Sequence, residues 1–172
     1  MKRITYKRNS RINEEDMFKN YNFSSDSLND YDDNESSQET SGNEVANKIE
    51  ELVIGLIKRL EGYCLRLKEF HWSANHKSLH ELTDTVISSL CEFEDEIAEE
   101  CMGLSKNKFK VETFESILPD ATTPGTLLNV IYDDILNVRN SVDELKKAPG
   151  FVSTCDDMLK SISKYSYLET FV

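Results

Sequence analysis

Apolar residues recur at three- and four-residue steps along four stretches of the chain, which is the pattern of amphipathic helices. The stretches cover residues 43–72, 79–101, 126–147 and 151–170. The second helix is expected to end at Gly103, a residue type that often terminates helices. No alternating pattern of the β-strand kind competes with these stretches. The sequence therefore predicts an all-α fold.

A longer connection, residues 104–125, separates the second and third predicted helices and contains Pro119 and Pro124. A short helix is predicted within it, around Thr113 to Leu118. Four amphipathic helices with one long middle connection are typical of a ferritin-like four-helix bundle. We therefore predict that residues 44–172 form such a bundle, with the short helix in its middle crossover.

Residues 1–43 have a different composition. They are rich in Asn, Ser, Asp and Glu and poor in apolar residues, so this tail is predicted to be disordered unless a partner holds it. Its aromatic residues suggest a segment that anchors on another protein. The tail opens with a basic head, a candidate site for DNA phosphates, although an acidic run follows at once. The basic residues of the head are Lys2, Arg3, Lys7, Arg8 and Arg11.

Composition narrows the functional classes. The chain has 172 residues, enough for one domain with a core, and a net charge of −12. Such an acidic body repels DNA and attracts cations. Four cysteines without a CxxC spacing favour reduced thiols in a cytosol-like compartment. No apolar run approaches the ~20 residues needed to span a bilayer. We expect a cytoplasmic protein, or one inside an intracellularly assembled particle, with no membrane partner.

The second predicted helix carries the candidate chemistry. His80 and Asp84 lie one turn apart, and so do Asp95 and Glu99, so each pair is able to point at one ion. About 16 Å of helix separates Asp84 from Asp95, too far for one ion to join both pairs. The two pairs share a midpoint near position 89. Two copies crossing antiparallel about a two-fold axis there would place each pair opposite the other, as an isologous dimer requires.

The run FHW…LHELTD…EDEIAEECMG resembles the central signature of the Dps-type mini-ferritins, the starved-cell DNA-protection proteins. In that family a His-Trp closes the first helix, an H-E-x-x-D pattern opens the next, and an Asp and a Glu one turn apart follow. The interval from His71 to His80 is shorter than is usual in that family, so the loop between the helices is expected to be tighter.

The resemblance implies a ferroxidase centre at a two-fold interface of a homo-oligomer. Its ligands would be His71, His80 and Asp84 of one subunit with Asp95 and Glu99 of the partner, and its metal would be iron. The same ligand set also suits zinc and manganese. A second hypothesis is a non-enzymatic structural subunit with this fold, in a ring or shell such as a virus particle, whose N-terminal tail clamps its neighbours. The fold alone does not choose between the two.

Overall fold

A computed structural model describes the chain over residues 36–106, 108–109 and 115–172, and the side chains from residue 43 onward within those ranges. The described residues form four helices and no strand, which confirms the all-α prediction. None of these helices is long and apolar enough to cross a membrane. The helices are α1 (Ser36–Ser73), α2 (Lys77–Ser105), α3 (Pro124–Glu144) and α4 (Pro149–Glu169).

The helix ends differ from the sequence-based bounds in ways that local chemistry explains. α1 begins at Ser36, before the first apolar position of its periodic pattern. α2 continues past Gly103 and ends at Ser105, and the residue that follows, Lys106, adopts the left-handed conformation with φ 56°. α3 and α4 each begin at a proline, because the fixed φ of proline suits the first helical turn and its missing N–H has no helical partner there.

Two predictions fall wholly or partly outside the described residues. The N-terminal tail is described only from Ser36 onward, as the start of α1. The short helix predicted around Thr113 to Leu118 is not present over residues 115–118, which have no regular secondary structure. The remaining residues of that predicted helix lie outside the described part of the chain.

The four helices pack as two antiparallel hairpins laid side by side. α1 contacts α2 and α3, and α4 contacts α3 and α2, so α1 lies diagonally opposite α4. In the α2–α4 pair, the Ser89 hydroxyl contacts the Tyr165 hydroxyl, and Thr154 donates a hydrogen bond to Glu100. The residue numbers thus rise along α2 while they fall along α4. α2 and α4 are therefore antiparallel, and the connection from α2 to α3 must run back along the bundle.

This crossover lies against α1 at close range. The backbone N–H of Ile117 donates to the carbonyl of Lys58 at 2.9 Å, and Arg66 donates to the carbonyl of Pro119 at 3.2 Å. Gly62 lies between these two contacts, and a Cβ on it would meet the Ile117 carbonyl oxygen at 1.9 Å. Only glycine leaves room here for the crossover backbone.

Two glutamates from the ends of helices lie at the starts of other helices. The Glu169 carboxylate at the end of α4 is 3.0 Å from the position of a Cβ on Gly125, in the first turn of α3. The Glu100 carboxylate of α2 lies 3.4 Å from the corresponding position on Gly150 and accepts a hydrogen bond from Thr154 at 3.0 Å. A carboxylate at a helix N-terminus is stabilised by the helix dipole. The Glu169 contact therefore holds the open end of the α3–α4 hairpin together, and the Glu100 contact joins α2 to α4.

The interior is filled by one continuous apolar cluster drawn from all four helices. Its side chains come from the apolar residues that recur with the helical repeat. The charged residues lie on the opposite faces of the helices, as in other amphipathic helices. Thr83 is the one buried polar residue among those described, and it faces the end of the α1–α2 hairpin. The largest fully buried side chains include Leu56, Leu60, Leu90, Ile97, Leu127, Ile131, Ile135, Phe151 and Ile162.

Candidate metal centre

The tight turn between α1 and α2 brings two histidines together. α1 ends at Ser73 and α2 begins at Lys77, so only residues 74–76 connect them. The backbone N–H of Ala74 donates to the His71 carbonyl at 3.3 Å, and the chain then enters α2 within three residues. The short interval between His71 and His80 thus places the two imidazoles face to face.

The two imidazole rings are stacked, with centroids 3.7 Å apart and planes at 26°. Nδ1 of His71 lies 3.2 Å from the carbonyl oxygen of His80, and Nδ1 of His80 lies 3.3 Å from the carbonyl oxygen of His71. A carbonyl oxygen only accepts, so each contact holds as a hydrogen bond when Nδ1 carries the hydrogen. In the neutral tautomer this leaves the lone pair of each Nε2 free, the arrangement that metal-binding histidines commonly have.

A carboxylate completes the cluster. Oδ1 of Asp84 lies 3.0 Å from Nδ1 of His71, and the hydroxyl of Thr83 lies 3.5 Å from the same nitrogen. One ligand atom from each of His71, His80 and Asp84 lies within 4.8 Å of the other two. Ligands at about 2.1 Å from one ion are at most about 4.2 Å apart. Holding one cation with all three would require the side chains to rotate, because the Asp84 carboxylate contacts Nδ1 of His71, the nitrogen that also lies against the His80 carbonyl.

The cluster is open to solvent on one side. The His71 side chain is 16% exposed, whereas that of Asp84 is 62% exposed. Trp72, the only tryptophan of the chain, directly follows His71 and is 72% exposed. If these three residues held a cation, the open side would leave coordination positions for water, an oxidant or further ligands.

The other two predicted ligands are not part of this cluster within one chain. Asp95 and Glu99 are exposed on α2, beyond Asp84 along the same helix. The rise of a helix separates them from Asp84 by roughly 16 Å or more. Of the five predicted ligands the fold thus gathers three, and the remaining pair is exposed on the same helix.

The hairpin also holds an acidic cavity that the sequence did not predict. It has a volume of about 420 Å³ and lies beside the Glu61 and Glu94 carboxyl groups. Burial, then the charges of Glu61 and Asp95, raise the pKa of Glu94 to about 7. The helical periodicity contained one indication that Glu94 is half-buried. Glu94 directly follows the buried Phe93 and so lies near the edge of the polar face of α2, not at its middle. The cavity is lined by Lys58, Glu61, Glu94, Glu115 and Ser116.

Thr83 is a second residue that sequence reasoning missed. It lies within the apolar stripe of α2, and its hydroxyl donates to the carbonyls of Leu79 and His80 at 2.9 Å each. A threonine in an otherwise apolar stripe, one turn from a candidate ligand, was the available signal. Its side chain supports the backbone that carries His80 and lies against the ring of His71.

No protein-family model, curated protein or solved structure matches this chain.

Proposed function

We propose that the chain is a subunit of an iron-binding homo-oligomer that oxidises Fe²⁺ at sites on a two-fold interface, as a Dps-like mini-ferritin would. One observation carries the proposal, the cluster of His71, His80 and Asp84 at the end of the α1–α2 hairpin. Two imidazoles and a carboxylate are a donor set that suits Fe²⁺, and also Zn²⁺ and Mn²⁺.

The architecture supports the same proposal. Ferritin-like folds have four helices with one long crossover connection. In this chain the long connection lies between α2 and α3, and α2 neighbours α1 and α4. Metal sites of such bundles are built from side chains on helices, and here all five proposed ligands lie on α1 and α2.

A second copy of the chain would complete the site. Asp95 and Glu99 are exposed on α2, and the pairs 80/84 and 95/99 are symmetric about one point of that helix. Two α2 helices crossing antiparallel at this point would set Asp95 and Glu99 of one copy against the histidines of the other. Each dimer would then contain two equivalent sites with both imidazole and carboxylate ligands.

The chain's own residues would bind and orient Fe²⁺, which is the substrate. When Nδ1 of each ring donates to the backbone carbonyl beside it, Nε2 of both imidazoles is available to the cation. The exposed carboxylates supply the negative charge that favours a cation, and the open side admits peroxide or oxygen as oxidant. The net charge of −12 attracts further Fe²⁺ toward the assembly, where oxidised iron would be stored as mineral.

The symmetry of the proposed site gives its test. His80→Ala removes a ligand from one half, and Asp95→Ala removes one from the other, so each variant alone should lose tight binding of Fe²⁺ or Zn²⁺. The expected loss is more than about tenfold in affinity, because even changes outside the ligand shell cost that much. A 1:1 mixture that exchanges subunits should recover about one quarter of the wild-type sites, since half of the dimers are mixed and each holds one intact site.

Calorimetry on the wild type, both variants and their mixture measures these outcomes. Glu92→Ala is the matched control, an exposed acidic residue of the same helix that is outside the proposed ligand set, and it should bind as the wild type does. Absence of micromolar binding by the wild type would contradict the proposal and favour the structural-subunit hypothesis. Normal binding by both ligand variants would show that the ligands are assigned to the wrong residues.

A further inference from the structure

Two cysteines face each other across the α1–α2 hairpin. The helices are antiparallel, Oδ1 of Asp84 on α2 lies 3.0 Å from Nδ1 of His71 on α1, and Glu61 and Glu94 line the same cavity. Cys64 precedes His71 by seven residues, and Cys91 follows Asp84 by seven. Cys64 follows Glu61 by three residues, and Cys91 precedes Glu94 by three. One turn along an antiparallel pair therefore brings Cys64 opposite Cys91.

The two thiols differ in their access to solvent. Cys91 is exposed on α2, whereas Cys64 is 4% exposed inside the bundle. Burial, followed by the neighbouring Cys91 and the carboxylates of Glu94 and Glu61, raises the pKa of Cys64 to about 12. Cys64 is therefore protonated at neutral pH, and Cys91 is the thiol that a dissolved oxidant meets first.

We propose that Cys64 and Cys91 form a dithiol that reacts with hydroperoxides and closes to a disulfide between α1 and α2. The arrangement has the two parts that such chemistry needs, an accessible thiol and a second thiol beside it that resolves the first oxidation product. The bond would tie the two helices that carry the histidine cluster, about two turns from His71 along α1.

The reaction balances with hydrogen peroxide as the oxidant. The Cys91 thiolate attacks one peroxide oxygen, the O–O bond breaks, and the products are a sulfenic acid on Cys91 and hydroxide, which is protonated to water. The Cys64 sulfur then attacks the Cys91 sulfur and loses its proton. The S–O bond breaks and the second oxygen leaves as water. In total, two thiols and one peroxide give one disulfide and two waters, with two electrons passing from sulfur to oxygen.

The remaining cysteines provide matched controls. All four cysteines are free thiols, and Cys101 and Cys155 are buried like Cys64. Burial raises the pKa of Cys101 to about 11 and that of Cys155 to about 12. No other cysteine contributes to either of these shifts, which separates both residues from the Cys64–Cys91 pair.

The test is a thiol count on the full, reduced, metal-free chain. The protein is treated with hydrogen peroxide in the presence of a chelator, the peroxide is removed with catalase, and thiols are titrated after unfolding. The wild type should fall from four thiols to two. Cys91→Ser, at an exposed position that the fold tolerates, should keep all of its remaining thiols. Cys155→Ser should lose the same number as the wild type.

Peptide mapping without reductant identifies the product. The expected product is a reducible link between the Cys64 and Cys91 peptides within one chain, with the loss of two hydrogens. Four surviving thiols in the wild type would overturn the proposal. So would a Cys91–Cys91 link between two copies, or oxidation of Cys91 to a sulfinic acid with Cys64 unchanged. Because metal is absent throughout, none of these outcomes depends on the iron-binding proposal.

Discussion

Gly62 should be the position at which one methyl group most damages the crossover. It lies in the interior of α1, where alanine is otherwise the better helix former by about 1 kcal/mol. A Cβ on Gly62 would lie 1.9 Å from the Ile117 carbonyl oxygen and 2.6 Å from its carbonyl carbon. Both atoms are backbone, so Gly62→Ala cannot be accommodated by rotating a side chain.

The size of the effect follows from what the crossover must give up. Ordinary contact begins at 3.4 Å, so the Ile117 backbone must move away from α1 by about 1.5 Å. Such a shift breaks the 2.9 Å hydrogen bond from Ile117 to Lys58 and the 3.2 Å one from Arg66 to Pro119. These losses cost about 1 and about 2 kcal/mol respectively. After the gain in helix propensity, Gly62→Ala should destabilise the protein by about 2 kcal/mol.

Gly55 of the same helix is the matched control. A Cβ there would meet only the end of the Arg59 side chain, at 3.6 Å, which is ordinary contact. Gly55→Ala should therefore stabilise the protein by ~0.5–1 kcal/mol through helix propensity alone. The two identical substitutions in one helix should thus have opposite signs.

Chemical denaturation in urea, with the wild type and both variants followed by circular dichroism, measures the two changes. In thermal melts the Gly62→Ala midpoint should fall by about 4–8 °C, given ~2–4 °C per kcal/mol for a chain of this size. If Gly62→Ala were neutral or stabilising like Gly55→Ala, the close packing of Ile117 on α1 would be wrong. If both variants were equally destabilising, helix propensity would not describe α1.

Three further predictions concern single side chains. Tyr63→Phe removes the hydrogen bond from the buried Tyr63 hydroxyl to Asp134 and should cost about 1 kcal/mol in urea denaturation. Burial and then Asp134 raise the pKa of Tyr63 above 10, so its stabilising effect should be present below pH 10 and decline at higher pH; a constant difference between the two proteins would contradict this. Glu100→Gln should lower the free energy of unfolding by about 0.5–1 kcal/mol at low salt, because it removes a charge at the N-terminus of α4. The difference should shrink as added salt screens that charge, and a difference independent of salt would contradict a dipole effect. Fe²⁺ or Co²⁺ at the proposed site should quench the fluorescence of Trp72 and raise the melting temperature by mass action. A chelator should reverse both effects, and His80→Ala should abolish them. Quenching that persists in His80→Ala would place the metal elsewhere.

Periodicity determined the helices of this protein. Each helix buries one face, so apolar residues recur with the helical repeat and identify four helices without any knowledge of their partners. The ends were harder to predict, as α3 and α4 show. Their starts at Pro124 and Pro149 precede the first core-facing residue, and the apolar pattern begins only where a side chain contacts the core.

The sequence also determined which residues of α2 share a face, because helical geometry is local. His80 and Asp84 lie one turn apart whatever the rest of the chain does. That argument could not place His71, which depends on how tightly the chain turns between α1 and α2. The stacked rings and the reciprocal contacts of Nδ1 with backbone carbonyls arise from that turn.

Only the tertiary structure decided the contacts between residues far apart in the chain. Glu100 at the start of α4, Ile117 on Gly62, and Cys64 opposite Cys91 all depend on which helices are neighbours and on their register. Local patterns carry no information on register, because any partner with an apolar face satisfies the same periodicity. Packing of all four helices around one core selects the register, and with it the side chains that meet across the hairpins.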